Sequence, residues 1–311
     1  MLQKNSFCAL IIILSTLSVE VNAKDKRIIS VVTCFSILED LVTELGGDRV
    51  SIINLVGRNS DAHIYQPKPS DAVAIANADL VVMNGLGFEG WVSRLLDNNG
   101  YAQKRLVASR SVKPLITDDD VDPHAWQSFR NIKIYIDNIT QILVEISPEF
   151  KDEFEQHNKR FKKKITLLEQ DLAKQISIIP KNQRIVVTSH DAFAYLGREF
   201  DIQFIAPMGF STESEPTASD VANLIDQINS QGVKALFVEN ISNPRLLQQI
   251  ASETGISIGG NLYSDALGDT SGPAATYVQM MRHNIESIRK ALTIEKLSNS
   301  KTNQTTEIFD H

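Results

Sequence analysis

Residues 147–180 read SPEFKDEFEQHNKRFKKKITLLEQDLAKQISIIP, and the spacing of apolar side chains in this stretch decides the architecture of the chain. Phe150, Phe154, Phe161, Ile165, Leu168, Leu172 and Ile176 recur at steps of three and four, with His157 in one position of the stripe. That period puts them on one face of an α-helix. Ser147 is a good N-cap residue, Pro148 suits the first helical position, and Pro180 ends the run. Roughly 29 residues at about 1.5 Å each predict a rod of roughly 43 Å. A rod of that length is stiff, so the segment reads as a rigid connector rather than a hinge. The basic run at 159–164 (KRFKKK) lies on it and reads as a solvated face, not as a docking site for anions.

On both sides of the rod, short apolar strands alternate with helical patterns. Before it, strand-like runs fall at 27–33 (RIISVVT), 51–56 (SIINLV), 79–84 (DLVVMN) and 105–108. Helical patterns lie between them: Leu38, Leu41, Val42 and Leu45 up to Gly46-Gly47, then 69–76 with Ser70 as the expected N-cap, then 89–96. After the rod, strands are expected at 184–189 (RIVVTS), 202–206, 235–239 (ALFVE) and 256–258, with helices between them and a last helix over about 274–292. Such alternation predicts an α/β fold of two lobes, each a mostly parallel sheet flanked by helices. A length of 311 residues is consistent with two domains.

The ends of the chain differ from its middle. Lys4, an apolar run over 7–17 and Val21-Asn22-Ala23 have the order of a secretory signal peptide, with the cut expected after Ala23. Cys8 leaves with this leader and lacks the small-residue context of a lipidated cysteine, so Cys34 stands alone and reads as a small core residue. From Thr293 the sequence is polar and aperiodic, and a disordered tail is expected. The expected division is therefore a leader at 1–23, an N-terminal lobe at 24–146, the connector at 147–180, a C-terminal lobe at 181–292 and a tail at 293–311. The net charge of −7 gives no basic footprint for nucleic acid. Cations, small molecules and proteins are the remaining partner classes, and the chain is expected to be monomeric.

Three of the six histidines sit after predicted strands or in the following turns: His63 in DAHIY, His124 in DPHAW and His190 in SHDAF. In open α/β sheets the carboxyl ends of the strands border the ligand crevice. Asp265, in YSDAL, follows the last predicted strand. Two candidates thus come from each half, as expected if one metal ion is clamped in the cleft. Three imidazoles and one carboxylate suit Zn²⁺ and can hold Mn²⁺ or Fe²⁺. Asp61 and Asp122, each two residues before a histidine, are placed to orient an imidazole. A lone histidine at a strand end is more often a satisfied polar group than a ligand, so the case rests on the set of four. His157, His283 and His311 read as structural or solvent-facing. The run Ser189-His190-Asp191 is no hydrolase triad, because neighbours on a strand point to opposite faces.

These segments, in this order, resemble the periplasmic metal-binding receptors of zinc and manganese uptake transporters, the cluster A-I solute-binding proteins. DAHIYQPKPSD at 61–71 looks like the family's first ligand segment and DLVVMNGLGFE at 79–89 like the strand and turn that follow it. DPHAW at 122–126, SHDAFAYL at 189–196 and LYSDAL at 262–267 look like the second, third and fourth ligand segments. The resemblance covers about residues 27–292. It implies that His63, His124, His190 and Asp265 are the metal ligands, that the lobes move little, and that the metal passes to an ABC permease.

The resemblance leaves the metal open between zinc and manganese. Many zinc members carry a His-rich acidic insert between the first two ligands, whereas residues 117–122 here (TDDDVD) are short and free of histidine. Manganese members usually place a carboxylate where His190 stands. Three imidazoles favour zinc in the Irving–Williams order, with manganese next. An enzyme reading would make the same cleft a metal hydrolase, with Glu239 the only nominee for a base; the expectation is no catalysis. A receptor for a chelated metal is the third reading.

Overall fold

The computed structural model describes residues 27–98, 100–117 and 120–306, with side chains to Thr293. The expected leader therefore lies outside the described residues. In the N-terminal half, β1 (Ile29–Phe35), β2 (Val50–Val56), β3 (Leu80–Met83) and β4 (Lys104–Val107) form a parallel sheet in the order β2-β1-β3-β4. The C-terminal half repeats the plan with β7 (Ile185–Val187), β8 (Gln203–Ile205), β9 (Ala235–Glu239) and β10 (Ile258–Leu262), all parallel, in the order β10-β9-β7-β8. Between the sheets, β5 (Ile116–Thr117) and β6 (Asp120–Val121) make a small antiparallel pair.

Helices α1 (Ser36–Gly46), α2 (Pro69–Ala76), α3 (Gly90–Asn98) and α4 (Phe129–Ile146) belong to the first half. The connector α5 (Lys151–Ser177) leads to α6 (Ala194–Phe200), α7 (Ala218–Gln231), α8 (Arg245–Thr254) and α9 (Tyr277–Thr306). As the period predicts, α5 buries Phe154, Phe161, Ile165, Leu168, Leu172 and Ile176. These side chains join one continuous core that also holds Val32 and Leu41 from the first half and Phe193, Phe237 and Met281 from the second. A second, smaller core (Val187, Leu224, Leu236, Ile250 and neighbours) lies with α7 and α8. A core shared across both sheets, rather than one per lobe, makes the connector rigid.

Several expectations need correction. The connector does not start its α-helix at Pro148: residues Pro148–Phe150 form a tighter 3-10 turn, and 27 α-helical residues follow from Lys151. The turn arises because α4 precedes it directly and the chain must double back. Lys133–Glu169, Lys162–Asp137 and Asn158–Thr140 contacts show the two helices running antiparallel. Helix α4 itself has no counterpart among the expected elements, although Ser128 caps it by accepting from the Arg130 and Asn131 amides. Ser70 is not the cap of α2; Lys68 holds that position, and the Asp71 carboxylate accepts the Lys68 N–H at 2.7 Å. At the far end, α9 runs from Tyr277 to Thr306, and residues 307–311 of the expected tail lie outside the described residues.

Two histidines expected to be structural are so. His157 donates through Nδ1–H to the Leu45 carbonyl at 2.9 Å, and its ring underlies Gly47. His283 Nε2 lies 3.0 Å from the Asn261 carbonyl. Among the described residues, no helix is long and apolar enough to cross a membrane.

Candidate metal centre

All four expected ligands converge. One nitrogen from each of His63, His124 and His190 and one Asp265 oxygen lie within 4.8 Å of one another, and all four residues are buried. Asp265 Oδ2 is 3.1 Å from His190 Nε2 and 3.3 Å from His63 Nε2, and Oδ1 is 3.6 Å from His124 Nε2.

Each side chain reaches this point for a local reason. His63 lies in the loop after β2, where Asp61 Oδ1 accepts its backbone N–H at 2.8 Å; its ring meets Phe88 edge-on at 4.7 Å. Asp61 therefore shapes the turn and does not orient the imidazole, and its other oxygen accepts from the Thr212 hydroxyl at 2.5 Å. Asp122 does what the sequence suggested. Its Oδ1 accepts the His124 amide at 2.9 Å and faces His124 Nδ1 at 2.8 Å, with both side chains fully enclosed.

His190 follows β7 at the carboxyl edge of the second sheet, and its backbone bridges to Met208. Glu239, the last residue of the neighbouring strand β9, accepts the Ser189 and His190 amides on Oε1 at 2.8 and 2.9 Å. Its Oε2 stands 2.6 Å from His190 Nδ1. Sequence reasoning nominated Glu239 as a base or a cleft residue; the structure makes it the partner of the His190 imidazole. Asp265 sits in the loop after β10. The Ser264 carbonyl beside it is gripped by Trp126 Nε1 at 2.9 Å and Gln127 Nε2 at 2.8 Å, both from the N-terminal half.

Five donor atoms at the focus have no hydrogen-bond partner: Nε2 of each of the three histidines and both oxygens of Asp265. Leaving a buried carboxylate and three ring nitrogens unpaired would cost several kcal/mol, on the order of what desolvated polar groups forfeit. The geometry offsets this in the ion-free protein with protons. Burial opposes a charge on His190, but the carboxylates of Glu239 and Asp265 prevail and hold its pKa well above the ordinary histidine value. Burial likewise works against an ionised Asp265, yet His190 and His124 keep its carboxyl well below the usual range. With Nδ1 of His124 and His190 each beside a carboxylate, their Nε2 atoms face the point where the four side chains converge.

A family profile described as the periplasmic component A of the zinc-uptake complex, ZnuA, matches residues 31–291. The manganese-binding lipoprotein MntA of Halalkalibacterium halodurans is 30% identical over 272 residues, which covers 87% of this chain and 91% of that protein. The iron-binding protein YfeA of Yersinia pestis is 30% identical over 265 residues, covering 84% and 85% respectively. Among solved structures, the periplasmic zinc binding protein TroA of Treponema pallidum superposes with a TM-score of 0.82 at 27% identity, over 85% of this chain and 99% of that one.

Proposed function

Since this chain belongs to the family of the periplasmic zinc-uptake component A, metal receptors of ABC transporters and not enzymes, we propose that its cleft captures one divalent transition-metal ion, zinc in preference, and delivers it to a membrane permease. The observation that carries this reading is the set of five buried donor atoms without partners, gathered from both halves of the chain. His63, His124, His190 and Asp265 are the ligands. Three imidazole nitrogens and one carboxylate oxygen make the four-donor set that zinc takes in closed sites. The protein works in the periplasm as a monomer, exported by a leader cut after Ala23.

Manganese or ferrous iron is the second reading, favoured by a specific feature. Both oxygens of Asp265 are unpartnered and face the imidazoles, so a chelating carboxylate would raise the donor count to five. Relatives named for manganese and iron point the same way. A hydrolase reading has less support, because Glu239 is engaged with His190 and two amides and is not free to act as a base.

The test is calorimetric titration of chelator-stripped protein with Zn²⁺ and with Mn²⁺, repeated on His63→Ala and His190→Ala. One ion per chain with binding lost in both variants is expected; unchanged affinity in either variant would sink the assignment. Zinc outcompetes manganese at nitrogen-rich sites whatever the cell uses. The cargo is therefore read from the metal content of protein isolated from its own periplasm.

A further inference from the structure

Two ligand-bearing segments and the strand end that carries Glu239 meet at a residue that points at no ligand. Asn59 lies in the loop after β2, four positions before His63. Its backbone N–H donates to the Leu267 carbonyl at 2.9 Å, two residues past Asp265. Its side-chain Nδ2 donates to Asp269 Oδ1 at 2.9 Å, on the same loop. Its Oδ1 accepts from Asn240 Nδ2 at 3.1 Å, and that amide also reaches the Ala266 carbonyl at 3.1 Å. Asn240 directly follows Glu239, the partner of His190 Nδ1. Arg58, next in the chain, donates to the carbonyls of Gly268 and Ala275 at 2.9 and 2.8 Å, closing the Asp265 loop from the same side. Asn59 holds φ at +54°, a left-handed conformation that Asn and Gly adopt far more readily than other residues.

We propose that Asn59 is a positioning residue for the metal centre, tying the His63 loop, the Asp265 loop and the Glu239–His190 pair into one register. The proposal rests on the metal-receptor reading above. Four ligands from separate segments bind tightly only if their spacing is set before the ion arrives, because ordering them on binding subtracts from affinity. His124 has its own carboxylate and its neighbours Trp126 and Gln127 hold Ser264, so Asp265 is fixed from that side as well. Beside the Arg58 contacts, the Thr212–Asp61 hydrogen bond and the Asn240–Ala266 link, Asn59 is the side chain that joins the His63 loop to both the Asp265 loop and the strand end after Glu239. The residue touches no ion; it acts through backbone and side-chain hydrogen bonds to the segments that do.

Three variants test this in the full-length exported protein, with Zn²⁺ as the probe. Asn59→Gly keeps the left-handed backbone and its N–H but removes the side-chain links. Asn59→Asp sets a carboxylate against Asp269. Asn59→Asp combined with Asp269→Asn restores a donor–acceptor pair with its direction reversed. Chelator competition should show affinity reduced about tenfold in both single variants, the lower end for outer partners of metal ligands, and recovered in the double variant. The thermal midpoint of the metal-free protein should stay near wild type in Asn59→Gly. Wild-type affinity in the single variants would overturn the proposal, as would loss of affinity that merely follows loss of metal-free stability without rescue. If the wild type itself takes up no Zn²⁺, the receptor reading fails instead.

Discussion

Glu239 Oε2 stands 2.6 Å from His190 Nδ1, with neither side chain reached by solvent. The same relation holds at His124, whose Nδ1 faces Asp122 Oδ1 at 2.8 Å. In each case a carboxylate oxygen beside Nδ1 favours the tautomer that keeps its proton on Nδ1, which leaves the Nε2 lone pair facing the candidate metal centre. Glu239→Gln keeps an acceptor for the Ser189 and His190 amides but offers an N–H to His190 Nδ1, favouring the tautomer whose proton sits on Nε2. Metal affinity should fall by about 10–100-fold, the range for outer-sphere partners of ligand histidines. Chelator competition measures it; an affinity within error of wild type would show that the carboxylate does not set the tautomer.

Proton release on loading follows from the charge state of the ion-free site. With its pKa held well above the ordinary value by Glu239 and Asp265, His190 is protonated at neutral pH before metal arrives. An incoming cation needs the Nε2 lone pair and must displace that proton. Calorimetry of metal binding in buffers of different ionisation enthalpy should therefore report about one proton released per ion at pH 7. Affinity should weaken as the pH falls. Identical heats in all buffers would mean that the imidazoles are already neutral.

How far the sequence speaks depends on where each signal resides. The stripe from Phe154 to Ile176 is legible because about six turns of one period leave no other reading. Strand β9 is found at its observed bounds, whereas β10 is expected at 256–258 and lies at Ile258–Leu262. Gly259 and Gly260 hide it, because glycines carry no apolar signal. Gly259 is required there: a Cβ would come within 2.8 Å of Ala291 and 2.9 Å of the Phe237 ring. The four residues that converge are legible from strand ends and from the resemblance. The role of Glu239 is not, since it depends on β9 lying beside β7 in a sheet ordered β10-β9-β7-β8. Local sequence does not encode strand order. Asn59 escapes for the same reason, as its partners lie 181 and 210 positions away.

Gly47 offers a test of the connector's seat. Its φ is +53°, and a Cβ placed there would come 2.9 Å from His157 Cε1 on α5. Gly47→Ala combines an unfavourable backbone with a clash and should destabilise by about 1–3 kcal/mol. His157→Ala relieves the clash but not the backbone strain, so the double variant should lose less than the sum of the singles. Denaturant midpoints of the four proteins give this coupling. Metal affinity should not change, and a change would mean that the seat of α5 reaches the ligands.

Asp40 makes the stability of the metal-free protein depend on pH in a direction opposite to most carboxylates. It is 9% exposed, and its Oδ2 accepts the Tyr277 N–H at 2.8 Å at the start of α9. Burial is the largest influence and pushes its pKa from 3.8 up to about 6, outweighing the Tyr277 hydrogen bond. The folded chain thus holds this proton more tightly than the unfolded one. Stability from this group is greatest below about pH 4, falls as the pH rises toward 6, and is level above that. A shift of about two pKa units corresponds to on the order of 2–3 kcal/mol. Asp40→Asn has no such proton to lose and can still accept the Tyr277 N–H. Relative to wild type, it should gain stability across that interval, on the order of 2–3 kcal/mol between pH 4 and pH 7. Urea unfolding of both proteins in chelator across this range isolates the term, because His190 and the other buried groups contribute equally to both. Parallel curves would show that Asp40 holds its proton no more tightly in the folded protein than in the unfolded chain.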